Sequence, residues 1–178
     1  MLRITSGTFG GRKIEQPKTT KTRPVTEQTR HAIFQVLGDV SGLTVLDLYA
    51  GSGALGLESL SLGAASATFV DSARVAIDII KVNCKTLEIV NQAAIVNSKV
   101  EQFTKTSDAK FDLIFFDPPY TLFDEKTLKQ STELVTPQGI VIVSCSVKTP
   151  LPTELGKVEL IKTKTYGDTQ IAYYSLKN

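Results

Sequence analysis

The sequence predicts an α/β domain in which helices cover both faces of a mostly parallel sheet and the last strand runs antiparallel. Three observations carry this prediction. From Thr44 to Cys145 short apolar runs alternate with amphipathic stretches, the pattern of repeated strand–helix–strand units. The runs stop abruptly at Asp, Gly or Pro, as buried strands do at their carboxyl ends. Two final β-rich runs, Val158 to Tyr166 and Ile171 to Leu176, are joined only by Gly167-Asp168-Thr169-Gln170, so they pair antiparallel for want of a crossover.

The elements follow in order. Residues 2 to 15 read as two short strands around a Gly-rich turn, and residues 16 to 24 as a lysine-rich loop ending at Arg23-Pro24. Thr26 is a natural N-cap for a helix that spaces Ala32, Ile33, Val36 and Leu37 along one side until Gly38 stops it. Thr44 to Ala50 is the first sheet strand, and Gly51-Ser52-Gly53-Ala54-Leu55-Gly56 turns it into a helix reaching about Leu62, capped by Gly63. Ser66 to Val70 is a strand closed by Asp71-Ser72. A longer helix carries Ala76, Ile79, Ile80 and Leu87. Ala94 to Val96 is a third strand, Glu101 to Phe103 a short helical stretch, and Phe111 to Phe116 the fourth strand. A helix from about Asp124 to Leu134 precedes the strand Ile140 to Cys145, opened by Gly139. With the closing pair, this makes a seven-stranded sheet with an N-terminal hairpin and helix as an extension.

At 178 residues, 42% apolar and 21% charged, the chain is expected to be one globular domain, 1–178, without a linker, repeat or low-complexity tract. No apolar stretch approaches the roughly 18 residues of a membrane span, and Met1-Leu2-Arg3-Ile4-Thr5 does not begin a signal peptide, so a cytoplasmic protein is expected. Cys84 and Cys145 lack metal-ligand spacing and read as small buried hydrophobes, and the lone His31 reads as a satisfied or solvated helix residue. Metal-independent chemistry is favoured. Charge is uneven. Residues 1 to 30 hold seven basic side chains against two acids, a balance of +5, and the remaining 13 basic and 16 acidic residues give −3. A basic arm on a mildly acidic body fits a protein that grips phosphates with one segment, the plainer alternative being a solvated tail.

The chemistry centres on Asp117-Pro118-Pro119-Tyr120, at the carboxyl end of an apolar strand, where open α/β sheets bind ligands. Two prolines fix φ, so the Asp117 carboxylate and the Pro118 carbonyl form two preset acceptors, and Tyr120 offers an aromatic face. Two acceptors and a ring suit an exocyclic base amine. The same four residues also read as a plain strand-ending turn. Gly51-x-Gly53-x-x-Gly56 with Asp71 twenty residues beyond Gly51 satisfies a dinucleotide fingerprint, so a nicotinamide-dependent oxidoreductase competes. Against it stands Asp47, whose carboxylate would repel a pyrophosphate resting on the helix N-terminus. S-adenosylmethionine presents no phosphate; Asp47 suits its amino-acid portion, Asp71 its ribose diol, and Gly51 and Gly53 close approach of the backbone.

Asp47-x-x-x-Gly51-x-Gly53, then Asp71, then Asp117-Pro118-Pro119-Tyr120 on successive strands resembles the Rossmann-like class I S-adenosylmethionine-dependent amino-methyltransferases. More narrowly, Arg3-Ile4-Thr5-Ser6-Gly7 with Gly11-Arg12-Lys13, Thr22-Arg23-Pro24-Val25-Thr26 through Arg30-His31-Ala32-Ile33-Phe34, Leu46 through Glu58, and Tyr166-Gly167-Asp168-Thr169 resemble the bacterial small-subunit ribosomal RNA methyltransferase D family over nearly the whole chain. That resemblance implies methylation of the N2 amine of a loop guanine in 16S ribosomal RNA or the small subunit, by a monomer. It implies a division into an RNA-binding arm and helix (1–38) and a catalytic core (39–178). It also implies a cofactor site of Asp47, Ala50, Gly51, Ser52, Gly53, Asp71, Ser72, Lys99 and Val100, with Asp117, Pro118 and Tyr120 catalytic. Arg3, Arg12, Lys13, Arg23 and Arg30 are the expected RNA contacts, part of the stretch from Arg23 to Arg30 closing over the cofactor instead. Two positions depart from the family's pattern: Lys99 stands where an acid often meets the adenine amine, leaving that contact to backbone near Val100, and the fifth strand ends Ser144-Cys145-Ser146 rather than in an acid. Competing readings are an adenine-N6 methyltransferase of DNA or RNA, a cytosine-C5 methyltransferase using Cys145, and a non-catalytic RNA-binding module.

Overall fold

The computed structural model describes residues 2–17 and 25–177. Leu2–Arg3 (β1) and Lys13–Ile14 (β2) pair antiparallel with Leu2 opposite Ile14. Their turn is pressed against the body at Gly7, where φ is +77° and an added Cβ would lie 2.0 Å from the Ser61 carbonyl oxygen. The first helix, Glu27–Leu37 (α1), starts as its cap dictates, with Thr26 Oγ1 accepting from the Thr29 N–H at 3.1 Å, and ends at Gly38 with φ 76°.

The body is built from Thr44–Leu48 (β3), Ala54–Ser61 (α2), Ser66–Asp71 (β4), Arg74–Thr86 (α3), Ala93–Asn97 (β5), Val100–Thr106 (α4), Phe111–Phe116 (β6), Glu125–Thr132 (α5), Val135–Ser146 (β7), Glu154–Leu155 (β8), Val158–Tyr166 (β9) and Thr169–Leu176 (β10). The strands form one sheet in the order β5-β4-β3-β6-β7-β10-β9-β8. Strands β3 to β7 run parallel, and β10 is antiparallel to both neighbours. Chain connections leave β3 in opposite directions, to β4 on one side and, later, to β6 on the other, so a topological switch point lies beside β3.

Alternation along the strands sorts the core into two layers. Val45, Phe115, Ile142 and Tyr173 face α1, α2 and α3 through Ile33, Phe34, Leu57 and Ile80. Leu46, Phe116, Val143 and Tyr174 face α4 and α5 through Val100 and Leu128. Phe34 seats α1 on the sheet edge-to-face against Phe115, with ring centroids 5.8 Å apart. Among the described residues no helix is long and apolar enough to cross a membrane.

Two strand boundaries depart most from the sequence reading, and one strand is added. β3 ends at Leu48 rather than Ala50, because Tyr49 turns to φ 60°. β7 begins at Val135, well before Gly139: Val135 pairs with Phe111, and the register shifts before Leu113 meets Ile140. A two-residue strand, β8, extends the expected seven by covering Val158 and Glu159 of β9.

The N-terminal hairpin and α1 are fastened to α2 by one carboxylate. Glu58 is fully buried and accepts from the Thr5 and Ser6 N–H groups, at 2.9 and 2.7 Å, and from Thr5 Oγ1 at 2.6 Å. Arg30, also fully buried, brings Nε to 3.6 Å from Glu58 Oε2, and Nη2 donates to the Arg3 carbonyl at 2.5 Å. Two charges taken out of water stay affordable only as a pair. Arg30→Met is therefore expected to cost about 3–5 kcal/mol in denaturant melts. In a double-mutant cycle, Arg30→Met with Glu58→Leu should cost less than the two single changes added together.

Candidate active site

The carboxyl ends of β3, β4, β5 and β6 converge on a turn that no regular strand could make. After Leu48 the chain enters the left-handed region at Tyr49, Gly51 (φ 57°) and Gly53 (φ 77°), and α2 begins at once. Tyr49 is a non-glycine residue held in a costly conformation, secured by edge-to-face contact with Phe116 at 5.3 Å. The Gly53 N–H donates to the Ala50 carbonyl at 2.6 Å, and the Ala50 N–H to the Val70 carbonyl at 3.1 Å, which draws the turn against the end of β4. Gly56 lets α2 lie on the sheet: an added Cβ would stand 2.3 Å from the Phe69 ring.

Three carboxylates border this turn. Asp71 spans it, one oxygen accepting from the Gly51 N–H at 2.9 Å and the other from the Ala73 N–H at 2.8 Å. Each oxygen keeps a second lone pair for a ligand hydroxyl. Asp47, 2% exposed, accepts one hydrogen bond, from the Gly56 N–H at 3.0 Å. Burial holds its carboxyl well above the usual range, and the charges of Asp117 and Asp71 push it further the same way. Asp117 sits directly after β6, its N–H reaching the Leu48 carbonyl at 3.5 Å. Desolvation raises its pKa to about 6, against a hydrogen bond with Ser144 that favours the charged form. A cationic ligand would favour the charged form of these poorly compensated carboxyls, whereas a phosphate would oppose it.

The other expected site residues fall around this centre. Ala50 and Ser52 are buried in the turn, Pro118 is buried directly after Asp117, and Ser72 is exposed on the rim. Lys99 is exposed at the N-cap of α4, and the Val100 side chain is buried in the α4–α5 layer, which leaves its side chain no part in a ligand contact. Tyr120 opens a single 3-10 turn, Tyr120–Leu122; its side chain lies outside the described ones. Of the basic residues, Arg3 and Lys13 are exposed on the hairpin. Arg12 is exposed too but donates Nη2 to the Thr86 carbonyl at 2.6 Å. Arg23 lies outside the described residues. Arg30 must be corrected: its guanidinium is sealed against Glu58, so it reaches neither phosphate nor cofactor.

Sequence reasoning missed four supports. Ser144, noted only as an absent acid, is the partner of Asp117. Asn83, 1% exposed on α3, accepts from the Glu15 N–H at 2.8 Å and donates to the Glu15 and Ser52 carbonyls at 3.0 Å, tying hairpin to glycine turn. Asn97 donates to the Asp71 and Ser72 carbonyls at 3.0 and 3.1 Å. Glu58 completes the set. A buried asparagine or glutamate on the apolar side of a helix is the one available signal. Cys145 is buried with its thiol pushed up to about 11, which denies it thiolate character.

A family model described as conserved hypothetical protein 95 matches residues 2–175. The Bacillus subtilis protein YlbH is 33% identical over 180 residues, 97% of this chain and 98% of that protein. The ribosomal RNA small subunit methyltransferase D of Escherichia coli is 34% identical over 176 residues, 97% of this chain and 87% of that protein. The solved structure of yhhF from Escherichia coli superposes with a TM-score of 0.88 at 30% identity, covering 99% of this chain and 98% of that one.

The raised pKa of Asp117 fixes a pH dependence of stability. Between about 4 and 6 the folded state binds a proton at Asp117 that the unfolded state has released, so the part of the stability that Asp117 carries falls as pH rises through that window and levels off above it, the raised Asp47 adding a fall of the same sign. Asp117→Asn should remove the Asp117 part and leave that of Asp47, and melting curves of the two proteins at matched pH should diverge in favour of the variant above about pH 6.

Proposed function

The chain belongs to the conserved hypothetical protein 95 family, that of the ribosomal RNA small subunit methyltransferases D, and from this premise we propose that it transfers a methyl group from S-adenosylmethionine to the exocyclic N2 amine of a guanine in 16S ribosomal RNA. Its sheet order and its likeness to yhhF are those of the class I methyltransferase fold. Methyl transfer to ribosomal RNA is the part that the relatives support directly; an exocyclic amine as acceptor and the methyl donor are inferences from the site, and guanine N2 is what the family resemblance implies. The observation that carries them is the meeting of Asp117, followed by Pro118 and Pro119, with the Asp47–Asp71 turn at the switch point.

The donor fits the charges present. In this reading Asp47 takes the ammonium and Asp71 the ribose diol, and Gly51 and Gly53 leave the turn open to close approach. When bound, the donor supplies an activated methyl on a sulfonium. Everything else is alignment. A base amine is a poor nucleophile because its lone pair is delocalised into the ring, so holding both N–H bonds, one on the Asp117 carboxylate and one on the Pro118 carbonyl, aims the nitrogen. Ser144 orients Asp117, which is also placed to take the proton released from nitrogen. Tyr120 is assigned to stack on the base, and a loop or flipped-out base can enter where a paired one cannot.

In this reading residues 1–38 form the RNA-binding arm and helix, 39–178 the donor-binding core, and the protein works as a monomer in the cytoplasm without a metal. Arg3, Lys13 and Arg23 remain its arm contacts to phosphate, with Arg12 sharing its guanidinium between the α3 carboxyl end and the substrate.

Asp117→Ala should lower kcat by orders of magnitude while the affinity for S-adenosylmethionine, measured by calorimetry, stays within a few-fold; equal losses in both would overturn the assignment. The profile of kcat/KM should show an acid limb with a midpoint near 6, as the carboxylate needed for the amine is protonated below it. Nucleoside mass spectrometry of methylated 16S ribosomal RNA should find N2-methylguanosine; N6-methyladenosine would assign the same pocket to adenine.

A further inference from the structure

The arm spends much of its charge on its own fold. Arg30 is buried against Glu58, Arg12 caps the Thr86 carbonyl, and Arg3 Nη1 donates to the Gly11 carbonyl at 2.9 Å. A polyanion gripped beside Asp117 needs cations elsewhere, and sheet register shows where they stand.

Phe116 pairs with Val143, which sets Asp117 level with Ser144, its hydrogen-bond partner. Ser144 pairs with Ile171, and Ile171 with Lys164. Asp117, Ser144, Ile171 and Lys164 therefore form one row across β6, β7, β10 and β9, and directly opposed residues share a face. Ile171 and Tyr173 belong to the layer that holds Ile33 and Phe34, so this is the α1 side of the sheet. Lys162, opposite Tyr173, joins Lys164 on that face about 7 Å along the strand. Three strand spacings place Lys164 roughly 14 Å from Asp117. The hairpin lies over α2 and α3 on the other flank, through Glu58 and Asn83. Across one face the order is thus arm, Asp117, lysine pair.

Both lysines are exposed, and among the described residues neither enters an ion pair. β8 covers β9 only at Val158 and Glu159, so both lie along its open stretch. Lysines on an open edge also discourage sheet-to-sheet pairing. That role has no dependence on RNA.

We infer that Lys162 and Lys164 form a second phosphate-contact track for the RNA substrate, on the far side of Asp117 from the arm. The inference rests on the ribosomal RNA reading above. Its test compares Lys162→Gln/Lys164→Gln with Lys126→Gln/Lys129→Gln, which removes the same charge from α5 on the opposite face. Binding of the 16S ribosomal RNA substrate is titrated over a salt series, with methyl transfer and melting curves in parallel. The β9 variant should bind more weakly, and the slope of log affinity against log salt should shrink by about 1.4–1.8, at 0.7–0.9 per released counterion. Its affinity for S-adenosylmethionine and its turnover at saturating RNA should be unchanged. The α5 variant should keep the wild-type slope, as should Lys162→Arg/Lys164→Arg, which retains charge and guards against a folding defect in the glutamine pair. A wild-type slope in the β9 variant, or an equal loss in the α5 variant, overturns the track. Wild-type protein that neither binds nor methylates the RNA overturns the methyltransferase reading instead.

Discussion

The Glu58 carboxylate is the point on which the two halves of the molecule depend. It projects from α2, the helix that starts at the glycine turn, and its acceptors are taken up by the hairpin backbone and the Arg30 guanidinium of α1. Ser61, one turn further along the same helix, accepts from the Phe9 N–H at 2.9 Å and donates to the Ser6 carbonyl at 2.5 Å. The arm is thus a second layer on the helix that positions the turn, and it cannot shift without disturbing buried charge. Asn83 adds a second tie by bonding both Glu15 and Ser52. A load on the hairpin is accordingly transmitted to the glycine turn through buried hydrogen bonds.

Charge organises the site in the same way. Asp47, Asp71 and Asp117 come from the ends of three neighbouring strands, and burial together with the charges of Asp117 and Asp71 disfavours ionisation of Asp47. A cation entering between them relieves that repulsion, whereas a pyrophosphate would add to it. Asp117, at the end of the central strand β6, is poised to about 6, in the range where a carboxylate can exchange a proton near neutral pH. The buried Cys145 thiol, pushed up to about 11, leaves nucleophilic attack through sulfur without a nucleophile.

Most of the fold was legible because the signals involved are local. The Thr26 cap, the Gly38 stop, the apolar run before Asp117 and the short link between the last two strands each specify an element within a few residues. Where β3 ends was not legible, since a tyrosine at φ 60° is chosen by its packing on Phe116, across the sheet. The early start of β7 was hidden for a similar reason: Pro137 and Gly139 read as turn residues, and only pairing of Val135 with Phe111 extends the strand past them.

The basic residues expose the sharper boundary. In sequence Arg30 and Lys13 are equivalent members of a positive run, yet one is fully buried and the other exposed. The difference is Glu58, 28 positions away from Arg30, and no periodicity within residues 1–30 encodes it. Ser144 was hidden by the same kind of separation. Its hydroxyl gains meaning only when parallel pairing brings the end of β7 level with the residue after β6. Carboxylates at strand ends announce themselves because burying one is expensive and strand ends are where ligands bind. The neutral and paired groups that orient them carry no such signature, and they become readable only once the register is known.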